Sequence, residues 1–290
     1  MHPAPSLIAF TVLSGLGFGL LMLLGLGRIA PTGWAAFLWF GLGYGLTLAG
    51  LAASSLHLGH PERALKAFSQ WRTSWLSREA VLSAAALLVM APHAAGTVFF
   101  ATPLPVFGWV AAVLALLTVL ATAMIYAQLR TVPRWNHWSA PLIFLLASVA
   151  GGLVLIGDAQ LAPLALALLA AAMLAHWMIG DHRFAAEGHT AETATGLGGI
   201  GLVRLLEPPH TGQNYLLREM VYVVGRKHAA RLRVLALVCA VILPMLALIV
   251  APGVTLAWVL AVALHVAGML AARWLFFAEA EHVVGLYYGR

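Results

Sequence analysis

Two things are scarce in this chain of 290 residues: cysteine, present once, and charge, carried by 26 side chains, or 9% of the total. A single thiol, Cys239, excludes an internal disulfide, a cysteine-ligated iron–sulfur cluster and a cysteine-based zinc site. It lies in an apolar run and reads as a small buried hydrophobe. So little charge also excludes a soluble fold, because a folded domain of this length needs polar residues to cover its surface. Instead, 62% of the residues are hydrophobic and the mean hydropathy is +0.93, which places the chain among polytopic membrane proteins. No basic segment precedes the first apolar run at Ser6 and no small-residue cleavage site closes it, so it is expected to be kept as a span.

Runs long enough to cross a bilayer, about 20 residues each, fall near 6–26, 34–56, 80–101, 106–127, 139–157, 162–180, 232–251 and 254–277. The ten-residue alternation of a membrane barrel is missing, so the expectation is an all-α integral membrane protein of eight transmembrane helices. Residues 1–290 form one membrane domain, divisible into two bundles of four. Pro92 and Pro244 fall inside spans, where a kink is expected and another group must satisfy the freed carbonyl. Gly15 and Gly19, and again Gly41 and Gly45, have the small-xxx-small spacing that lets helices approach closely.

With eight crossings, both termini share one side with the loops 57–79, 128–138 and 181–231. That side holds 15 of the 16 Lys and Arg residues and the other holds Arg28 alone. The positive-inside rule then puts the termini and the three long loops in the cytoplasm. A basic face suits anionic lipid or an acidic protein partner, and membrane topology explains the high pI without nucleic acid. The fifty-residue loop is too long for a simple connection and is expected to dock another subunit. Its glycines 196, 198, 199 and 201 are a poor match to a phosphate loop, and Tyr215 to Arg226 reads as an amphipathic surface helix.

Polar residues concentrate between the second and third spans, where Ser54 to Glu79 reads S-S-L-H-L-G-H-P-E-R-A-L-K-A-F-S-Q-W-R-T-S-W-L-S-R-E. His57 directly follows an apolar run and Glu79 directly precedes one, so both are expected at the membrane boundary, a setting for proton-coupled chemistry. Trp71 and Trp75, four apart, are placed to stack on a flat ring or simply to anchor in the interface. Arg78 could hold Glu79 ionised or orient it, and His60 before Pro61 reads as a turn residue.

These segments, with the N-terminal M-H-P-A-P-S and Y-L-L-R-E-M-V-Y-V-V-G-R-K-H-A-A-R-L-R, resemble the DmsC family of eight-helix membrane anchors of molybdenum-containing oxidoreductases. Within that family, the loop with R-L-L-E-P-P-H-T is most similar to the SoeC-type anchors of cytoplasmic sulfite dehydrogenase. The resemblance implies a complex of three subunits in a bacterial cytoplasmic membrane. A molybdopterin catalytic subunit and an iron–sulfur subunit with [4Fe-4S] clusters would dock on the anchor, which exchanges electrons with ubiquinone or menaquinone and holds no haem or cluster itself. It also implies a quinone-binding role at His57 and a proton role at Glu79, with Trp71, Trp75 and Arg78 as further quinone-site candidates. Arg63, Lys66, Arg72, Arg218, Arg226 and Lys227 become candidates for partner docking. No metal ligands are expected in this chain.

Three other readings stay open. One is the anchor of a dimethyl sulfoxide reductase-type complex, which would oxidise quinol. A haem b cytochrome would need facing histidines, and His93 and His265 form the one mid-membrane pair beside a third intramembrane histidine, His176. A transporter would need charge along a path, whereas the spans are nearly charge-free apart from Arg273.

Overall fold

The computed structural model describes residues 1–56, 60–207, 210, 212, 214–222 and 228–289. Among them the chain is helical, with no strand. We label the apolar helices α1 (Pro5–Gly25), α2 (Gly33–Ser55), α3 (Trp75–Phe100), α4 (Pro105–Ala127), α5 (Ser139–Leu155), α6 (Ala162–Ala186), α7 (Ala229–Val250) and α8 (Thr255–Ala278). Seven are long and apolar enough to cross a membrane; α5, with 17 residues, is the short one. At 1.5 Å per residue it reaches about 25 Å, a little under the hydrocarbon thickness of about 30 Å. Helix α3 begins at Trp75, earlier than hydropathy suggests, and α6 runs on to Ala186.

Helix α1 is the hub, packing on α2, α4, α5 and α8, and 83% of its apolar window is buried against 22% for α8. Small residues permit this. A Cβ added to Gly17 would strike Thr47 and Gly43 of α2, one on Gly19 would strike the Ser148 carbonyl of α5, and one on Gly25 would strike Gly108 of α4. Of the two expected pairs, Gly19 makes such a contact but Gly15 meets open space, and Gly41 and Gly45 both face outward with open space, so that Gly43, Thr47 and Gly50 carry the α2 contact. Spacing identifies small residues but not the side they face, and in lipid close backbone approach is what drives helix association.

At one end of the bundle, four charged groups join the 128–138 loop, α6, α7 and the segment after α8. Arg134 reaches Asp181 at 2.5 Å and Glu279 at 3.4 Å; Arg233 reaches Asp181 at 2.6 Å and Glu279 at 2.7 Å. Two guanidinium groups and two carboxylates balance. The main chain ties the same end together through Val283 N–H to Thr131 O and His2 N–H to Glu219 O, at 3.0 and 2.7 Å. Because Glu279 is only 5% exposed, Glu279→Ala is expected to cost about 3 kcal/mol by leaving two partly buried guanidinium groups short of an anion. Thermal unfolding in detergent, read against wild type, measures it.

At the other end the connections are short. Arg28, just after α1, donates Nε–H to Asp158, just after α5, at 2.6 Å. Asp158 also accepts the N–H groups of Gln160 and Leu161, fixing the turn that leads into α6. Burial works against its charge, but these bonds win and hold its pKa below the usual aspartate value. The two ends of α5 therefore lie at opposite faces of the bundle.

Pro244 leaves the Ala240 carbonyl without its helical donor, and α7 widens into a π-turn over Val238–Ile242. His265 of α8 supplies the missing bond, giving Nδ1–H to Ala240 O at 2.6 Å. Cys239, in that turn, is half-buried, more open than expected. The amphipathic helix expected from Tyr215 is reduced to a single π-turn over Leu216–Met220 that breaks at Val221; Val223 to Lys227 lie outside the described residues. Gly196, from the glycine cluster, takes a positive φ of 70° to end a one-turn helix, Ala191–Thr195.

Candidate functional site

The collar between α2 and α3 folds into a 3₁₀ helix, Pro61–Phe68, followed by turns. Local bonds fix it: Ser69 Oγ–H to Lys66 O at 2.7 Å, and Gln70 N–H to Ser77 Oγ at 3.1 Å. Between this collar and the two helices lies a cavity of about 570 Å³, walled by Leu51 and Ser55 of α2, Arg63 and Phe68 of the collar, and Glu79 and Ser83 of α3. Its size is that of a small-molecule site, and its wall joins apolar groups such as Leu51, Phe68 and Leu76 to a larger set of polar side chains.

Glu79 is 4% exposed, lines the cavity and hydrogen-bonds through Oε1 to Thr122 Oγ1 of α4. Thr122 also lies 3.1 Å from the Thr118 carbonyl. This permits two arrangements. An ionised Glu79 accepts the threonine O–H; a protonated Glu79 donates to Oγ1 while the threonine O–H turns to Thr118 O. The carboxyl can thus gain or lose a proton without leaving a buried group unpaired.

Arg78 does not serve Glu79. Its guanidinium donates to the Trp71 and Arg72 carbonyls at 3.0 and 2.7 Å and lies over the Trp75 ring, 4.3 Å from the centroid. Neighbouring helix positions point about 100° apart, so Arg78 turns to the loop as Glu79 turns inward. Trp71, Trp75 and Arg78 form a cluster beside the cavity and are not part of its wall; Trp71 is 55% exposed. Of the expected docking residues, Arg63 and Lys66 line the cavity mouth, Arg72 is exposed in the collar and Arg218 sits in the Leu216–Met220 turn. His57, Arg226 and Lys227 lie outside the described residues. His60 also lines the cavity and pairs with Glu62 at 2.8 Å, both exposed.

The other intramembrane histidines are apart from this cavity. His93 has Nδ1 3.0 Å from Leu104 O and lines a separate cavity near Pro105 and Trp109. His265 is committed to Ala240 O and lines a different space again, so the two do not face a common volume. No cluster of three or more His, Cys, Asp or Glu among the described residues could hold a metal ion. Sequence reasoning missed Thr122, since a threonine in an apolar span carries no signal until its partner, 43 residues away, is known.

Residues 1–178 match the family described as "DMSO reductase anchor subunit (DmsC)". The chain is also similar to a subunit of the sulfite dehydrogenase of Allochromatium vinosum, with 33% identity over 99% of both chains. No solved structure matched. The family match covers more than half of the chain and the relative spans nearly all of it, so this protein belongs to the DmsC family of oxidoreductase membrane anchor subunits.

Proposed function

We propose that this chain is the quinone-reactive anchor of a sulfite-oxidising complex in a bacterial cytoplasmic membrane. It docks an iron–sulfur subunit and a molybdopterin catalytic subunit on its loop-rich face. The observation that carries the reading is the collar cavity, large enough for a quinone ring and walled by one buried carboxyl able to exchange a proton. Bound quinone supplies a two-electron, two-proton acceptor. The chain's own part is to hold it against apolar walls near Phe68, hydrogen-bond its oxygens and move a proton at Glu79. Ser54, Ser55 and His60 line the cavity, and His57 lies between them in sequence, which favours it as a hydrogen-bonding group there.

All eight helices cross the membrane in this reading, α5 included, because its ends lie at opposite faces of the bundle. We take the two bundles of four to be α1–α4 and α5–α8, which meet where α1 packs on α5 and α8 and where α4 packs on α5. The 15-to-1 split of Lys and Arg puts the collar, the 128–138 loop and the 181–231 loop in the cytoplasm, where Arg63, Lys66, Arg72, Arg218, Arg226 and Lys227 meet the partners. Cytoplasmic sulfite oxidation requires that side. The family description favours a second reading, in which the same cavity binds quinol and electrons run outward to a reductase.

Mild-detergent purification from native membranes tests the assembly. Two co-purifying subunits with stoichiometric molybdenum and cluster iron, and sulfite-dependent reduction of added quinone, are expected. Quinol-dependent reduction of a sulfoxide by that preparation supports the second reading, and a lone chain without metal overturns both.

A further inference from the structure

Beyond Glu79 and Thr122, polar groups continue through the bundle. Among the described residues four buried side-chain nitrogens lack a hydrogen-bond partner, and three of them, His265 Nε2, His176 Nε2 and Arg273 Nε, surround two small cavities. The three residues are 1%, 3% and 4% exposed. The first cavity, about 20 Å³, is bordered by Thr122, Ser148, His265 and Arg273. The second, also about 20 Å³, is bordered by His176, Phe276 and again Arg273. Each has room for one water, for which about 10–15 Å³ suffices.

The hydrogen-bonding roles fit water. A carbonyl only accepts, so His265 must donate from Nδ1 to Ala240 O, which leaves Nε2 as a bare acceptor in the first cavity. Arg273 brings an unused Nε–H donor, and its guanidinium lies 3.5 Å from the centroid of the Phe144 ring with no ion pair among the described residues. An oxyanion to balance it would not fit such spaces, and a buried guanidinium left dry in a membrane is costly. On the far side, His176 Nδ1 lies 2.9 Å from Ser139 Oγ, and Ser139 Oγ lies 3.1 Å from Nδ1 of His137, a half-buried residue of the 128–138 loop; that Nδ1 also accepts the Ser139 N–H at 3.3 Å, a bond that protonation of His137 exchanges for Nδ1–H to Oγ.

We propose that one water occupies each cavity and that the pair, held by Arg273, completes a relay from Glu79 through Thr122, His176 and Ser139 to His137 at the loop-rich surface. The relay deepens the quinone reading of the collar cavity and rests on it. In each turnover the partner subunits would deliver two electrons one at a time, and with each Glu79 gives one proton to a quinone oxygen and regains one through Thr122, so that two electrons and two protons reach the quinone. Each regained proton enters at His137, passes by Ser139 Oγ to His176 Nδ1 and leaves Nε2 for the waters. Every member both gives and accepts, so no net charge stays behind. Arg273 orients the waters and need not lose its own proton.

Ser139→Ala removes one hydroxyl without adding bulk and cuts the relay between the histidines. In the purified complex it is expected to lower quinone-coupled turnover by up to about a hundredfold, the lower range for loss of a proton-transfer group. The KM for quinone and the turnover with a soluble dye should stay unchanged, and Ser139→Thr should restore the rate. A structure of the complex that resolves waters provides a second readout, independent of activity. Ordered water in both cavities supports the relay, and it would do so even if wild type failed to reduce quinone, which would sink the quinone reading alone. Dry cavities, or a Ser139→Ala complex as fast as wild type, overturn the relay.

Discussion

Glu79→Gln, in the assembled complex, is expected to lower quinone-coupled turnover about a hundredfold, the lower range for loss of a positioned proton-transfer group. Glutamine keeps the shape of the side chain and can still bond to Thr122, so the cavity should persist, but it cannot exchange a proton. Dye-coupled turnover, which draws electrons before they reach the membrane, should be unchanged. Titration with a quinone-site inhibitor separates the two ways of failing. Unaltered inhibitor binding with lost turnover assigns Glu79 to proton transfer, whereas equal loss of dye-coupled and quinone-coupled activity assigns it to assembly. His57→Ala should give the same activity split, with weakened inhibitor binding in addition, because the proposal gives it a hydrogen bond to the ring oxygen. The absence of any effect of Glu79→Gln would remove the carboxyl from the mechanism.

Gly19→Val carries the largest expected effect on stability. The new side chain would land on the Ser148 carbonyl of α5, and backbone cannot yield as the end of a flexible side chain can. Separating α1 from α5 also breaks the bond from Ser148 Oγ–H to Gly15 O, 2.7 Å, and the contact of Gly152 with the Gly19 backbone. The combined loss is expected to be about 3 kcal/mol or more, read as lower thermal stability and lower yield in membranes. Gly41→Val is the matched control, since Gly41 meets open space and its substitution should be close to neutral. If the two variants behave alike, α1 is not the packing hub described above.

That pair of glycines also marks what the sequence could and could not convey. Span positions were legible because bilayer thickness imposes a length on every apolar run, whatever lies beside it. The inward face was not. Helices that are apolar all round carry almost no amphipathic signal, so the glycines that centre α1 look like those that face lipid. The collar was legible as a polar island between two apolar runs, and Glu79 stood out as its last carboxyl. Its partner did not: proximity in sequence suggested Arg78, while the structure gives Arg78 to the Trp71 and Arg72 carbonyls and Glu79 to Thr122. The carbonyl freed by Pro244 could be foreseen to need a donor, but that it comes from His265 depends on the docking of α8 against α7. Arg273 was visible near the end of a span; its lack of an ion-pair partner among the described residues emerges only from the packing around Phe144.

The central position of α1 has a consequence for biogenesis. Connections at the Arg28 face are a few residues long, so the helices leave the ribosome as hairpins, α1 with α2, then α3 with α4, and so on. Helix α1 is made before the other seven yet is enclosed by them at the end, and its contacts with α5 and α8 involve chain made over a hundred and over two hundred residues later. Until then, lipid must fill the groove beside Gly19. Enclosure of α1 therefore waits on α8, and a ribosome stalled before Thr255 leaves α1 open along one side to lipid and to membrane quality-control proteases.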